Sequence, residues 1–133
     1  MAEKEARKNE YIPGVCNIGE AEIRMRAASG WAGLAGVIVL WAILALVHSA
    51  QVWRLFVFLP ASLAAAGFYQ AALHFCAGFG MKGVFNFGPD VGKTDTVIQA
   101  EFRKKDRQKA VFILLLSALT GAAAALAAFF IKF

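Results

Sequence analysis

Residues 110–131 read AVFILLLSALTGAAAALAAFFI, an apolar run of 22 residues without one charge. An α-helix rises about 1.5 Å per residue, so about 20 apolar residues cross the hydrocarbon core of a bilayer. Two more runs of this kind lie upstream, residues 27–51, uncharged apart from His48, and residues 55–81. Together they consume more than half of the 133 residues, leaving no room for a separate soluble domain with its own core. Composition agrees: 59% of residues are hydrophobic and 17% charged, against roughly 45–50% and roughly 25% in soluble domains. Such a chain is not disordered, because low hydrophobicity is what prevents collapse. The expected fold class is all-α integral membrane, with three transmembrane helices.

Charge placement predicts the orientation. Five basic residues precede the first span (Lys4, Arg7, Lys8, Arg24, Arg26) and seven lie between the second and third (Lys82, Lys93, Arg103, Lys104, Lys105, Arg107, Lys109). The other two connections carry Arg54 and Lys132 alone, so the balance is twelve against two. The positive-inside rule then puts the N-terminus and long connection in the cytoplasm and the C-terminus outside. The net charge of +5 is accounted for by headgroup attraction and topology signalling, not nucleic-acid binding. The first ten residues, MAEKEARKNE, are charged and the first apolar run is long, so the first span reads as a retained signal anchor. The expected location is the cytoplasmic (inner) membrane, multi-pass.

Residues 1–16 form a polar N-terminal segment, loose up to Tyr11, where Tyr11-Ile12-Pro13-Gly14 calls for a turn. Residues 17–80 form a transmembrane hairpin with spans at about 28–48 and 55–80. Asn17 is a suitable helix N-cap, Glu20 and Glu22 suit the positive first turns, and Glu22 and Arg26 share a helix face. Arg54 is expected to snorkel to the outer interface, and Pro60 to bend the second helix. Residues 81–95 read as an irregular cytoplasmic loop whose apolar tip, Val84-Phe85-Asn86-Phe87, dips towards the headgroups. Thr96 and Gln99 fit a capping box that opens a basic amphipathic helix over residues 96–133, running into the third span at about 110–131. Arg103, Lys104, Lys105, Arg107 and Lys109 on its first turns are candidates for contact with anionic headgroups or with a partner.

Small residues mark where membrane helices approach each other. Ser117, Gly121 and Ala125 recur every four residues in span three, as do Ala32 and Gly36 in span one and Ala61 and Ala65 in span two. Close packing explains them, within one chain or between copies. The number of such faces favours an oligomer or a subunit of a larger membrane complex.

Several patterns bear on chemistry. Residues 88–94, GPDVGKT, resemble a phosphate-binding loop until the spacing is counted: three residues separate Gly88 from Gly92, where the motif needs four. His48 and His74 end up about one bilayer apart, so they cannot bind one metal ion within a chain. No metal or other cofactor is expected. Cys16, Gln70, His74 and Cys76 form the more informative set, since the start of span one and the end of span two meet at the inner interface. Gln70 and His74, four residues apart, are read as an intramembrane polar pair on one helix face. A thiol, Cys16 or Cys76, beside His74 and an arginine is a candidate for carrying sulfane sulfur or for redox exchange. The alternative is plain packing of small apolar cysteines and an interhelical hydrogen bond. No acidic residue lies inside a span and no Ser, His and acid share one depth, which disfavours ion-coupled transport and hydrolysis.

Cys16-Asn17-Ile18-Gly19-Glu20-Ala21-Glu22 through Arg26, running into a glycine-rich span, resembles the YgaP-like family of small inner-membrane hairpins. Asn17, Gly19, Glu22 and Arg26 match that family's opening motif. Cys76, Phe79 and Gly80 match its second, Cys-containing motif, with Ala77 standing where the family has proline. The likeness covers about residues 15–81. It implies a membrane hairpin associated with rhodanese-type sulfurtransferases. Two functions follow as expectations: a non-enzymatic accessory or scaffolding subunit acting through helix packing, or a sulfur- or redox-handling protein using Cys16 and Cys76 with His74. A small-molecule channel built from several copies would depend on Gln70 and His74 for its polar path.

Overall fold

The computed structural model describes residues 11–131; the basic residues Lys4, Arg7, Lys8 and Lys132 used in the charge count lie outside them. The chain is mostly helical, and among the described residues three helical segments are long and apolar enough to cross a membrane. The first is α1 (Glu20–Leu46). The second is a 3-10 helix (Gln51–Val57) continued by α2 (Phe58–Leu73). After a short helix α3 (Ala77–Lys82), β1 (Val84–Phe85) pairs antiparallel with β2 (Asp95–Thr96), and α4 (Ala100–Phe130) supplies the third.

Helix α2 lies between the other two, and the sequence explains how closely they approach. Gly33 of α1 sits where a methyl would come within 2.6 Å of the Ala64 backbone nitrogen. Gly67 of α2 fits against the backbone of Gly30 and the carbonyl oxygen of Arg26. On the other side Gly121 of α4 meets Phe58 and Ser62, and Tyr69 and Thr120 share a hydroxyl–hydroxyl hydrogen bond of 2.7 Å. Ser117, Gly121 and Ala125 are all buried, as are Ala61 and Ala65. Gly36 packs more loosely, since a methyl there would lie 3.4 Å from the Pro60 side chain. Ala32 is exposed, so the contact assigned to it within span one belongs instead to Gly30 and Gly33, one helical turn apart on the face that meets α2. Bulky residues point outward, among them Trp31, Ile38 and Leu46 of α1 and Leu115, Leu119 and Phe130 of α4. A soluble monomer would not expose a belt of this size.

Five sequence expectations change at the ends of the helices. Helix α1 starts at Glu20 with Gly19 as N-cap, because the Asn17 side chain bonds elsewhere. Span two is not one helix over 55–80: it ends at Leu73, His74 turns left-handed (φ 54°), and α3 follows Cys76. Pro60 stands not inside a continuous α-helix but in the first turn of α2, directly after the switch from 3-10 to α geometry, as suits a residue without an N–H to donate. Thr96 belongs to β2 instead of a capping box, and α4 begins at Ala100. Arg54 is buried instead of snorkelling, with its guanidinium donating to the Ile131 carbonyl and so tying the 3-10 helix to the end of α4.

Residues 11–16 are also more ordered than a loose segment. Pro13 and left-handed Gly14 (φ 69°) turn the chain, with Val15 N–H donating to Ile12 O at 3.0 Å. Gly14 N–H and the Tyr11 hydroxyl then both donate to fully buried Asp106 of α4, at 2.8 Å and 2.5 Å. The loop's apolar tip turns onto the protein, not towards headgroups: Phe85 stacks on Tyr11 with ring centroids 4.8 Å apart. Burial and then the Asp106 carboxylate push the Tyr11 hydroxyl far above its ordinary range. A group whose folded pKa is raised holds its stabilising contribution below its unfolded pKa, 10.0 for tyrosine, and loses it as pH rises towards the folded value. Tyr11→Phe should therefore differ from the unmodified chain by a stability gap of about 1–2 kcal/mol that is flat up to about pH 10 and closes above it, read by thermal unfolding in detergent across pH.

Candidate functional site

The polar residues singled out in the sequence converge at one end of the bundle, where five pieces of chain meet. Residues 17–19 lie between the break after α2 and the loop after α3: Asn17 N–H donates to His74 O, Asn86 N–H to Asn17 O, and Gly19 N–H to Asn86 O. Gly19 is needed there because a methyl would stand 2.9 Å from the Phe87 α-carbon. Ile18, between them, is completely buried.

Asn17 closes this arrangement with its side chain. Its amide donates to Cys76 O at 3.0 Å and accepts from Cys76 N–H at 2.6 Å, so one buried side chain satisfies both backbone groups of a residue 59 positions away. Gln70 supports the same break from the other side, bonding Ala66 O at 3.0 Å and accepting from Ala77 N–H at 2.9 Å. Gln70 and His74 therefore do not form a pair on one helix face: Gln70 is spent on backbone, and His74 lies past the helix end.

Arg26 reaches Cys76 from α1. Its Nη2 donates to Sγ at 3.1 Å and lies 3.5 Å from Glu22 Oε2, while its guanidinium carbon sits 5.6 Å from the centre of the Phe79 ring. Glu22 is 1% exposed, and its other oxygen accepts from Asn86 Nδ2 at 3.0 Å and Gly92 N–H at 2.7 Å. Asn86 completes the loop by bonding Asp90 O and accepting from Gly88 N–H. The 88–94 stretch is thus a solvent-facing loop pinned by Glu22 from below. Cys16 and Cys76 are both buried, at 4% and 3% exposed, and neither forms a disulfide; Cys16 is held in the turn that bonds Ile12.

Among the basic residues proposed for headgroup contact, Arg103 is committed to structure: its Nη1 donates to Val97 O and Ile98 O, bracing the entry to α4. Lys104, Lys105 and Arg107 are exposed, and Lys109 lies over Phe112 at 5.6 Å. Among the described residues no group of His, Cys, Asp and Glu is placed to hold a metal ion. Two members of the site were not anticipated, Asn86 and Asp106. Compared with protein-family models, with curated proteins and with solved structures, the chain matches none of them.

Proposed function

We propose that this chain is a small non-enzymatic accessory or scaffolding subunit of a complex in the cytoplasmic membrane, with the polar cap on the cytoplasmic side. One observation carries this reading. The fully buried polar side chains Asn17, Glu22, Asn86 and Asp106 are spent on backbone groups, on one another or on Tyr11, and hold separate stretches of chain in register. Buried polar groups arranged this way define a rigid platform instead of lining a reaction cavity. The small-residue faces of α2 and α4 are used inside the chain, which leaves the outward apolar faces, with Ala32, for contact with a partner or a second copy. Purification of the tagged full chain from its own membranes in mild detergent, followed by intact-mass measurement, should yield an assembly of fixed stoichiometry. A monomer without a stoichiometric companion overturns the proposal.

A second reading, sulfur or thiol-redox handling, is favoured by the Arg26 guanidinium donating to the Cys76 sulfur at 3.1 Å. The likeness of residues 15–81 to YgaP-like hairpins points the same way. Burial of both thiols weighs against it. Under the scaffolding reading, maleimide labels Cys16 and Cys76 in the folded protein on the order of a hundredfold more slowly than after denaturation, as for groups reached through local opening. Fast labelling of Cys76 in the folded chain, or a sulfur adduct on it as purified, transfers the assignment to sulfur chemistry.

A further inference from the structure

A groove of about 510 Å³ runs along α4 beside the Pro13–Gly14 turn, lined by Pro13, Gly14, Lys105, Gln108, Lys109 and Phe112. Its chemistry changes along its length. Lys105, Gln108 and Lys109 occupy the basic turns, and Lys109 is followed directly by the uncharged run that begins at Ala110. Phe112, 53% exposed, stands one turn further in, within the apolar segment. From Lys105 to Phe112 the helix rises roughly 10 Å, about the depth over which a bilayer passes from phosphate to acyl chain. The acid in the same turn does not offset the lysines from within the groove: Asp106 is fully buried and holds Tyr11 and Gly14 on the inner side of the helix. Two cations and an amide above an exposed aromatic ring match a phosphodiester above an acyl chain. They match neither a free phosphate, which has no use for Phe112, nor a purely apolar tail.

We propose that this groove binds one phospholipid with an anionic headgroup, its phosphate between Lys105, Gln108 and Lys109 and one acyl chain lying along Phe112. The site is independent of the scaffolding and thiol readings. The probe is phosphatidylglycerol, with phosphatidylcholine of the same acyl chains as the zwitterionic control, added to the delipidated full chain and followed by native mass spectrometry. One phosphatidylglycerol is retained, about tenfold or more in preference to phosphatidylcholine, at about fivefold per lysine near an anionic phosphate. Replacing both Lys105→Gln and Lys109→Gln removes the preference. Lys104→Gln with Arg107→Gln, which removes the same charge from exposed positions outside the groove, leaves it. Phe112→Ala lowers retention of both lipids and keeps the headgroup preference, and glycerol phosphate without acyl chains does not compete. Equal retention of the two lipids overturns the site, as does an equal loss in both double variants, which would mean diffuse surface charge. Competition by glycerol phosphate as effective as that by the lipid also overturns it. Thermal unfolding of each variant confirms that the fold is retained.

Discussion

Gly67→Ala should destabilise the folded chain by about 3 kcal/mol, the upper end of what overpacking a tight interface costs. The added methyl would collide with the backbone nitrogen of Gly30 and stand 2.7 Å from both its α-carbon and the Arg26 carbonyl oxygen. These are backbone atoms in the middle of a helix and have no rotamer to change, so α1 and α2 must separate along their length. Gly36→Ala is the matched control: its nearest neighbour is the Pro60 side chain at 3.4 Å, an ordinary contact, and the expected change is under about 0.5 kcal/mol. Denaturation in mixed micelles measures both. A Gly67→Ala chain as stable as the Gly36→Ala chain would contradict the close crossing of the first two helices.

Asn17→Ala should cost a similar amount, about 3 kcal/mol, for a different reason. Cys76 O keeps a partner in Gly80 N–H, whereas Cys76 N–H, in a site 3% exposed, loses its hydrogen-bond acceptor, the Asn17 side-chain oxygen. The damage is local. With the Asn17 bridge gone, the turn between α2 and α3 frays, and labelling of Cys76 by maleimide accelerates at least tenfold while the helical content stays unchanged. Unfolding energy and labelling rate must move together; a stability loss with Cys76 still protected would show that Asn17 acts only by filling space.

The three long helices are legible in the sequence because lipid-length apolar runs admit few alternatives. The break at residues 74–76 is not. His74-Phe75-Cys76 contains neither proline nor glycine, and the helix stops there because Asn17 and Gln70 offer its backbone better partners than another turn would. For the same reason Asn17 looks like a helix cap when read locally: it has the right chemistry for a cap, but its partners are far along the chain. Thr96 is diverted likewise, by pairing with Val84. Glu22, Arg26 and Cys76 stand out as polar or reactive residues near a span, yet their meeting depends on the loop that carries Asn86. Asp106 was the more readable omission. The spacing of Ser117, Gly121 and Ala125 continues backwards through Ile113 and Ala110 to Asp106, all on the buried face of α4, so the lone acid among the lysines lies on the packing stripe. Asn86, the single polar residue in Val84-Phe85-Asn86-Phe87, carries a weaker signal of the same kind.

The distances in sequence spanned by the polar cap impose an order on biosynthesis. Glu22 receives hydrogen bonds from Asn86 and Gly92, 64 and 70 residues later, and Tyr11 reaches Asp106 across 95 residues. When residues 20–73 alone have been made, none of these later partners exists. During that interval Arg26, one turn away, is the counter-ion that Glu22 already has, and a carboxylate at the entrance to the bilayer core is tolerable with such a neighbour. The cap therefore closes in two stages: Glu22 gains Asn86 and Gly92 from the loop before α4, whereas Tyr11 and Gly14 wait for Asp106 of α4, so a chain cut short before α4 would keep the first set of bonds and leave the 11–14 turn without its anchor.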